Sequence, residues 1–324
     1  MNLRKIVIMI LLFSLIYPAN TRARLSQRNR ERQYPPSKKI SPKKIIVEFD
    51  LSYDLTAPGE THRVSLTVVL PKSIQDRQKI LGTKFSRKPS RIFNKNGNRY
   101  AEFVITEPKK KSDITISVKA ELFKYDLITA MVNHRANHSR NSQLDEFLKQ
   151  ERNIEKDNSQ IQEIAESVEG KTETDIIRNI YNYVIDNTQY VLHRRSDWGA
   201  LRALRQGKGD CSEYSDLFVA LCRAKNIPAR VVTGYTVQID TDLSKHNWAE
   251  VYMQDYGWVP FDPTSGDVKN TFLKNRTFSN LSPVYIYLSH TRNDDVLHNF
   301  NFYRYTYRGD RVRLKDSIKF TQIN

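Results

Sequence analysis

Apolar and polar residues alternate with a period near two from Ile45 to about Asp126. The runs "KIIVEFDLSYDL", "THRVSLTVVL", "RYAEFVITE" and "DITISVKAEL" are rich in Val, Ile, Thr and aromatics. Pro58-Gly59, Pro71, Asn96-Gly97 and Pro108 punctuate them. Such a pattern predicts a small antiparallel β-sandwich over 45–126. The period then lengthens. Residues 127–169 read as a polar, helical connector. In "TDIIRNIYNYVIDN", Ile176, Ile177, Ile180, Tyr181 and Val184 fall on one helical face, with Thr174 as the expected cap. A second helix is expected from Cys211 to Asn226, with Tyr214, Leu217, Phe218, Leu221 and Cys222 as its apolar stripe. "ARVVTGYTV", "HNWAEVYM", "GWVPFD" and "VYIYL" then read as strands. The helices and strands of 170–290 form a second unit, and 291–324 a C-terminal β extension in which "NFYRYTYRGDRVRL" is expected to be a hairpin turning at Gly309 and Asp310. The fold class is therefore α+β.

The first residues change the picture. Arg4 and Lys5 precede the apolar run Ile6–Tyr17, and "PANTRA" follows. A basic start, a short apolar core and small residues predict a secretory signal over 1–23. The run is short for a bilayer span, which takes about 20 residues, so no stable membrane span is expected after cleavage. No cysteine follows it, which excludes a lipoprotein anchor. Residues 24–44 are crowded with Arg and Lys against Glu31 and hold Pro35, Pro36 and Pro42, the composition of a basic, disordered linker. The chain of 324 residues carries a formal net charge of +16. A field of that sign attracts acidic surfaces, and the linker is a candidate contact for an acidic cell-surface polymer. Nucleic acid is not expected as a partner of an exported chain. The expected location is periplasmic or extracellular.

Export gives the two cysteines weight, because exported chains meet oxidising surroundings. Cys211 and Cys222 lie on one predicted helix. Eleven residues of helix span about 16 Å, whereas a disulfide needs Cα atoms within about 7 Å. Cys222 belongs to the apolar stripe and reads as a core residue. Cys211 stands at the helix start behind Gly207, Gly209 and Asp210, where a helix N-terminus stabilises a thiolate. A thiol nucleophile needs a base and an orienting carboxylate. His246 opens one strand and Asp262 closes the next, so adjacent antiparallel strands bring that pair side by side. Backbone N–H groups around Cys211 are candidate oxyanion donors.

The joint pattern "GDCSEYSDLFVALCRAKNIPARVVTGY" and "HNWAEVYMQDYGWVPFDPTSG" closely resembles the transglutaminase-like core of the papain-like cysteine enzymes. Four short motifs agree in order across roughly residues 170–270. The resemblance implies a helix bearing Cys211 packed on an antiparallel sheet bearing His246 and Asp262, after an all-β sandwich. It implies Cys211 as nucleophile, His246 as base and ion-pair partner, and Asp262 as the orienting acid. The implied reaction is attack on a carboxamide or peptide carbonyl of a protein or peptide substrate through a thioester, resolved by water or by an amine. Trp248 and Glu250 follow His246 on its face of the strand as candidate supporting residues, as do Trp198 and Tyr190 upstream of Cys211. Arg230 reads as a structural ion-pair residue and Trp258 as core. No acidic loop matches the calcium sites of animal transglutaminases, so no metal and no cofactor is expected. The alternative is a transglutaminase-like scaffold at the cell surface that binds without turnover.

Overall fold

The computed structural model describes residues 43–57, 59–133, 142–192, 197–237 and 244–323. The expected signal segment and nearly all of the basic linker lie outside them. Strand β1 (Lys44–Thr56) alternates strictly, with Val47, Phe49, Leu51, Tyr53 and Leu55 buried. It is followed by β2 (Thr61–Leu70), β3 (Gln78–Phe85), β4 (Arg91–Lys95), β5 (Asn98–Thr106) and β6 (Lys111–Phe123). Asn96 and Gly97 join β4 to β5 with positive φ at both positions (49° and 72°). That backbone suits a two-residue hairpin, because its twist matches that of the strands. The inward residues of these strands close one apolar core, including Phe49, Leu51, Val64, Leu66, Phe103 and Ile116.

The chain then leaves the strands. β7 (Tyr125–Asp126) leads into α1 (Leu127–Asn133), a 3-10 segment (Ser142–Leu148) and α2 (Ser159–Ser167). Helix α3 (Glu173–Asn187) buries Ile177, Ile180, Tyr181 and Val184 as the periodicity predicts, while Ile176, expected on the same face, is half-buried. Its cap is Thr172, not Thr174. The Thr172 hydroxyl accepts from the Asp175 N–H, and the Asp175 carboxylate accepts from the Thr172 N–H. This reciprocal pair satisfies two otherwise orphaned donors and starts the helix earlier than the apolar stripe alone indicates.

Next come β8 (Gln189–Tyr190), α4 (Gly199–Gln206), β9 (Lys208–Gly209) and α5 (Cys211–Ala224). Asn226 ends α5 in the left-handed region, at φ 61°. Helix α5 is buried on every side from Ser212 to Arg223, not on one stripe. Its polar residues are matched internally. Asp216 accepts two hydrogen bonds from Arg292, at 2.8 and 3.1 Å. Arg223 donates to Glu151 at 2.5 Å and to the Ala229 carbonyl at 2.8 Å. Around α5 run β10 (Ala229–Thr236), β11 (Lys245–Met253), β12 (Gly257–Phe261), α6 (Pro263–Gly266), α7 (Thr271–Thr277), β13 (Asn280–Leu281) and β14 (Tyr285–Ser289). The order β12-β11-β10-β14 makes one antiparallel sheet.

The last strands are β15 (Tyr303–Gly309) and β16 (Arg313–Ile323). They do not form the expected hairpin. β15 pairs with β2 and β16 with β1, giving sheets ordered β15-β2-β5-β4 and β16-β1-β6-β3. Gly309, at φ 100°, carries the chain from one sheet to the other, and a Cβ there would meet the Glu60 carbonyl oxygen at 2.1 Å. The intervening Tyr235, Ile286 and Leu288 belong to the sandwich core cluster. The Gln78 side chain also exchanges two hydrogen bonds with the Tyr287 backbone, both at 2.8 Å. Sandwich and sheet therefore share β14.

Candidate active site

Asp210 caps α5 in a capping box. Its carboxylate accepts from Ser212 N–H at 2.8 Å, while Glu213 accepts from Asp210 N–H at 2.9 Å. Glu213 is fully buried and also accepts from Trp198 N–H at 2.8 Å. A Cβ on Gly209 would lie 2.3 Å from the Glu213 Cβ, so only glycine lets this turn fold onto the helix. Cys211 is the first helical residue, half-buried and unpaired. Cys222 is buried and also unpaired, and burial holds its thiol up.

His246 enters from β11, and Asp262 stands one residue beyond β12 as the cap of α6. The His246 Nε2 donates to Asp262 Oδ2 at 2.8 Å. The Cys211 thiol acts on the same imidazole and favours its charged form. Burial opposes charge on His246. Asp262 outweighs it with help from Cys211, and the imidazole is raised to about 10. Burial likewise opposes the Asp262 carboxylate, but His246, Tyr285 and the Ser265 N–H hold it below its ordinary value. The Tyr285 hydroxyl donates to the same Oδ2 at 2.7 Å, and Ser265 N–H donates to Oδ1 at 3.0 Å. The carboxylate is thus fixed from three directions.

The supporting candidates fall in different places. Trp248 is fully buried, with its ring stacked on His246 at 6.0 Å. Gly234 makes room for it: a Cβ there would meet the indole at 2.8 Å and the Ile286 carbonyl oxygen at 1.9 Å. Glu250 shares the strand face of His246 but sits in a buried charge cluster of its own. Arg230 donates to it through Nε at 2.9 Å and Nη2 at 2.6 Å. Arg77 lies at 3.8 Å and His290 at 3.5 Å. Trp258 is half-buried, with the Arg230 guanidinium 3.9 Å above its ring, and is therefore a cation-stacking residue at the core margin. Tyr190 pairs with Gly209 in the short parallel bridge ahead of Cys211, and its ring is 6.4 Å from that of Tyr214. Trp198 precedes α4, under the Arg202 guanidinium at 4.5 Å.

Three contributions were not visible in the motif pattern. Tyr285 reads as one more aromatic in an apolar strand. Asn247 ties β11 to α5, donating to Ser212 Oγ at 3.0 Å while accepting from Thr233 at 2.8 Å. Arg292 bridges Asp216 of α5 and Asp197, the latter at 2.8 Å. Among the described residues, no group of three or more His, Cys, Asp and Glu is arranged to hold a metal ion.

A thiol at a helix start, an imidazole and a fixed carboxylate are thus gathered at one end of the sheet. Residues 162–263 match the transglutaminase-like superfamily model, a span that encloses Cys211, His246 and Asp262. The chain carries a transglutaminase-like core of α+β fold. A solved structure of a candidate cysteine protease from Cytophaga hutchinsonii superposes with a TM-score of 0.56 at 17% identity, covering 86% of this chain and 97% of that one. The uncharacterized protein YebA of Bacillus subtilis is 38% identical over 71 residues, 18% of this chain and 10% of that protein. The chain thus matches only a tenth of that relative's length. An uncharacterized protein of Haemophilus influenzae is 24% identical over 260 residues, 69% of each.

Proposed function

We propose that the protein is an exported cysteine enzyme that attacks a carboxamide or peptide carbonyl through Cys211. The observation that carries this reading is the His246 imidazole, held to Asp262 at 2.8 Å on the strand that packs against the helix opened by Cys211. An imidazolium at that position stabilises a thiolate, and the helix N-terminus adds to the effect. The thiolate adds to the carbonyl carbon, and the negative charge passes to the oxygen. Collapse expels the amine as it takes the proton from His246, leaving a thioester on Sγ. Water or a second amine, deprotonated by His246, then attacks the thioester and frees Cys211. Asp262 keeps the imidazole charged and oriented, and Tyr285 and Ser265 keep Asp262 ionised. Export rests on the N-terminal sequence. Among the described residues no helix is long and apolar enough to cross a membrane.

Hydrolysis and amine transfer give different products. The protein and its Cys211→Ala variant are incubated with a broad peptide mixture, with and without a labelled primary amine, and the products are read by mass spectrometry. Cys211-dependent amine incorporation identifies a transglutaminase, and new termini without incorporation identify a peptidase or amidase. Identical product spectra from the two proteins would overturn the enzymatic reading.

A further inference from the structure

The outer faces of the two sandwich sheets are built differently. On the first, opposite charges face each other: Asp50 stands opposite Lys319, Asp54 opposite Lys315, and Lys119 pairs with Glu48 at 2.7 Å. On the second, Arg63 of β2 stands directly opposite Arg308 of β15, and both are exposed. Like charges so placed destabilise a sheet. The register continues with Thr306 opposite Ser65 and Arg304 opposite Thr67. Alternate residues Val64 and Leu66 are fully buried, which turns this row outward. Among the described residues no carboxylate pairs with Arg63, Arg304 or Arg308.

A cleft of about 250 Å³ opens on this row, lined by Arg304, Thr306, Ser65, Thr67 and, across it, Phe93 and Glu102. Glu102 is already occupied by Arg91 at 2.6 Å and Ser65 at 3.1 Å. Beyond Arg63 and Arg308, the β5–β6 turn carries Lys109, Lys110 and Lys111 and one carboxylate, Glu107, which lies 3.5 Å from His62. Thr56 of β1 stands between Lys111 and Arg313. Four residues of strand separate Arg304 from Arg308, about 13 Å. The row therefore offers guanidinium groups at both ends with hydroxyls between them.

We propose that this face binds an acidic polysaccharide, with carboxylates on Arg304 and on the Arg63–Arg308 pair and sugar hydroxyls on Ser65, Thr67 and Thr306. Charge complementarity selects a polyanion. One feature favours a glycan over single-stranded nucleic acid. Such strands bind by stacking bases on free aromatic faces, but Phe93 is covered by Tyr100 at 5.2 Å and by the Arg91 guanidinium at 4.4 Å. The site is independent of the chemistry at Cys211.

The test is affinity electrophoresis of the full chain in native gels containing polygalacturonate, neutral dextran or oligo(dT). The double variant Arg304→Gln/Arg308→Gln is compared with Lys315→Gln/Lys319→Gln, which loses the same charge from the other sheet. Equal rates of Cys211 alkylation in all three proteins show that the fold is kept. Polygalacturonate is expected to retard the parent chain and the Lys pair variant, with affinity about tenfold weaker for the Arg pair variant. Equal weakening in both variants would show that net charge alone is responsible and would overturn the site. No retardation by polygalacturonate, or stronger retardation by oligo(dT), would overturn the polysaccharide assignment.

Discussion

Replacing Asp262 by Asn removes the charge that holds His246 protonated while keeping a side chain of the same shape. Raising an imidazole from 6.5 to about 10 represents about 5 kcal/mol of preference for its charged form. Without the carboxylate, burial is the largest remaining influence and drives the imidazole below 6.5. At pH 8 the imidazolium fraction then falls from nearly complete to a few per cent, about thirtyfold. Alkylation of Cys211 by iodoacetamide, followed by mass spectrometry from pH 5 to 10, needs no substrate and reads this loss directly. Buried Cys222 is the internal standard for a thiol without activation. The parent is expected to alkylate rapidly at neutral and mildly acidic pH, and Asp262→Asn at least about tenfold more slowly at pH 8. Equal rates in the two proteins across that range would refute the reasoning. Stability follows the same linkage. A raised histidine contributes fully below about 6.5, and its contribution is lost as pH rises through about 10. The parent melting temperature should therefore fall across that window, and that of Asp262→Asn should fall less.

Three further substitutions probe the surroundings. Gly209→Ala forces a Cβ to within 2.3 Å of Glu213; it should cost about 1–3 kcal/mol in denaturant unfolding and slow Cys211 alkylation. Tyr285→Phe removes one of the hydrogen bonds that keep Asp262 ionised. Asp262 should then protonate at higher pH, so acid unfolding of Tyr285→Phe, followed by circular dichroism, should begin less than about one pH unit above that of the parent. Arg292→Met leaves Asp216 buried without its guanidinium. A loss of about 3–5 kcal/mol is expected in urea titration, partly recovered by adding Asp216→Leu.

Periodicity finds a strand by what it buries, and this decided what could be read in advance. β1, β2, β5 and β6 alternate because one face of each meets the sandwich core. β3 buries only Gln78 fully and β4 nothing, so neither announces itself. Alternation also cannot name a partner, which is why β15 and β16 read as one hairpin although they belong to different sheets. In α5 the apolar stripe is plain in the sequence, but the burial of Glu213, Asp216 and Arg223 is not. Glu213 closes a local capping box, but the charged partners of Asp216 and Arg223 lie 76 and 72 positions away, at Arg292 and Glu151, where no local pattern can show them. The residues gathered at the thiol were legible because short motifs fix them at strand ends and a helix start. Tyr285 was not, since a hydroxyl reaching Asp262 from β14 is a product of sheet order alone.

The division of β15 and β16 between the two sheets bears on motion and on folding. The whole stretch from β7 to β14 is an excursion out of a sandwich that opens with β1 and is completed only by β15 and β16. An inserted body of this kind is tethered at both ends, and the two bonds from Gln78 to Tyr287 pin it again. Swinging about a single linker, the usual route to domain closure, is therefore denied to it. β1 has β6 on one side but gains its other neighbour only from the far end of the sequence, as Glu60 meets Asp310 across 250 positions. Contacts of such separation slow folding. Until they form, β1 and β2 present open edges of the kind that pair with other chains, so the interval before closure is when this protein is most exposed to aggregation.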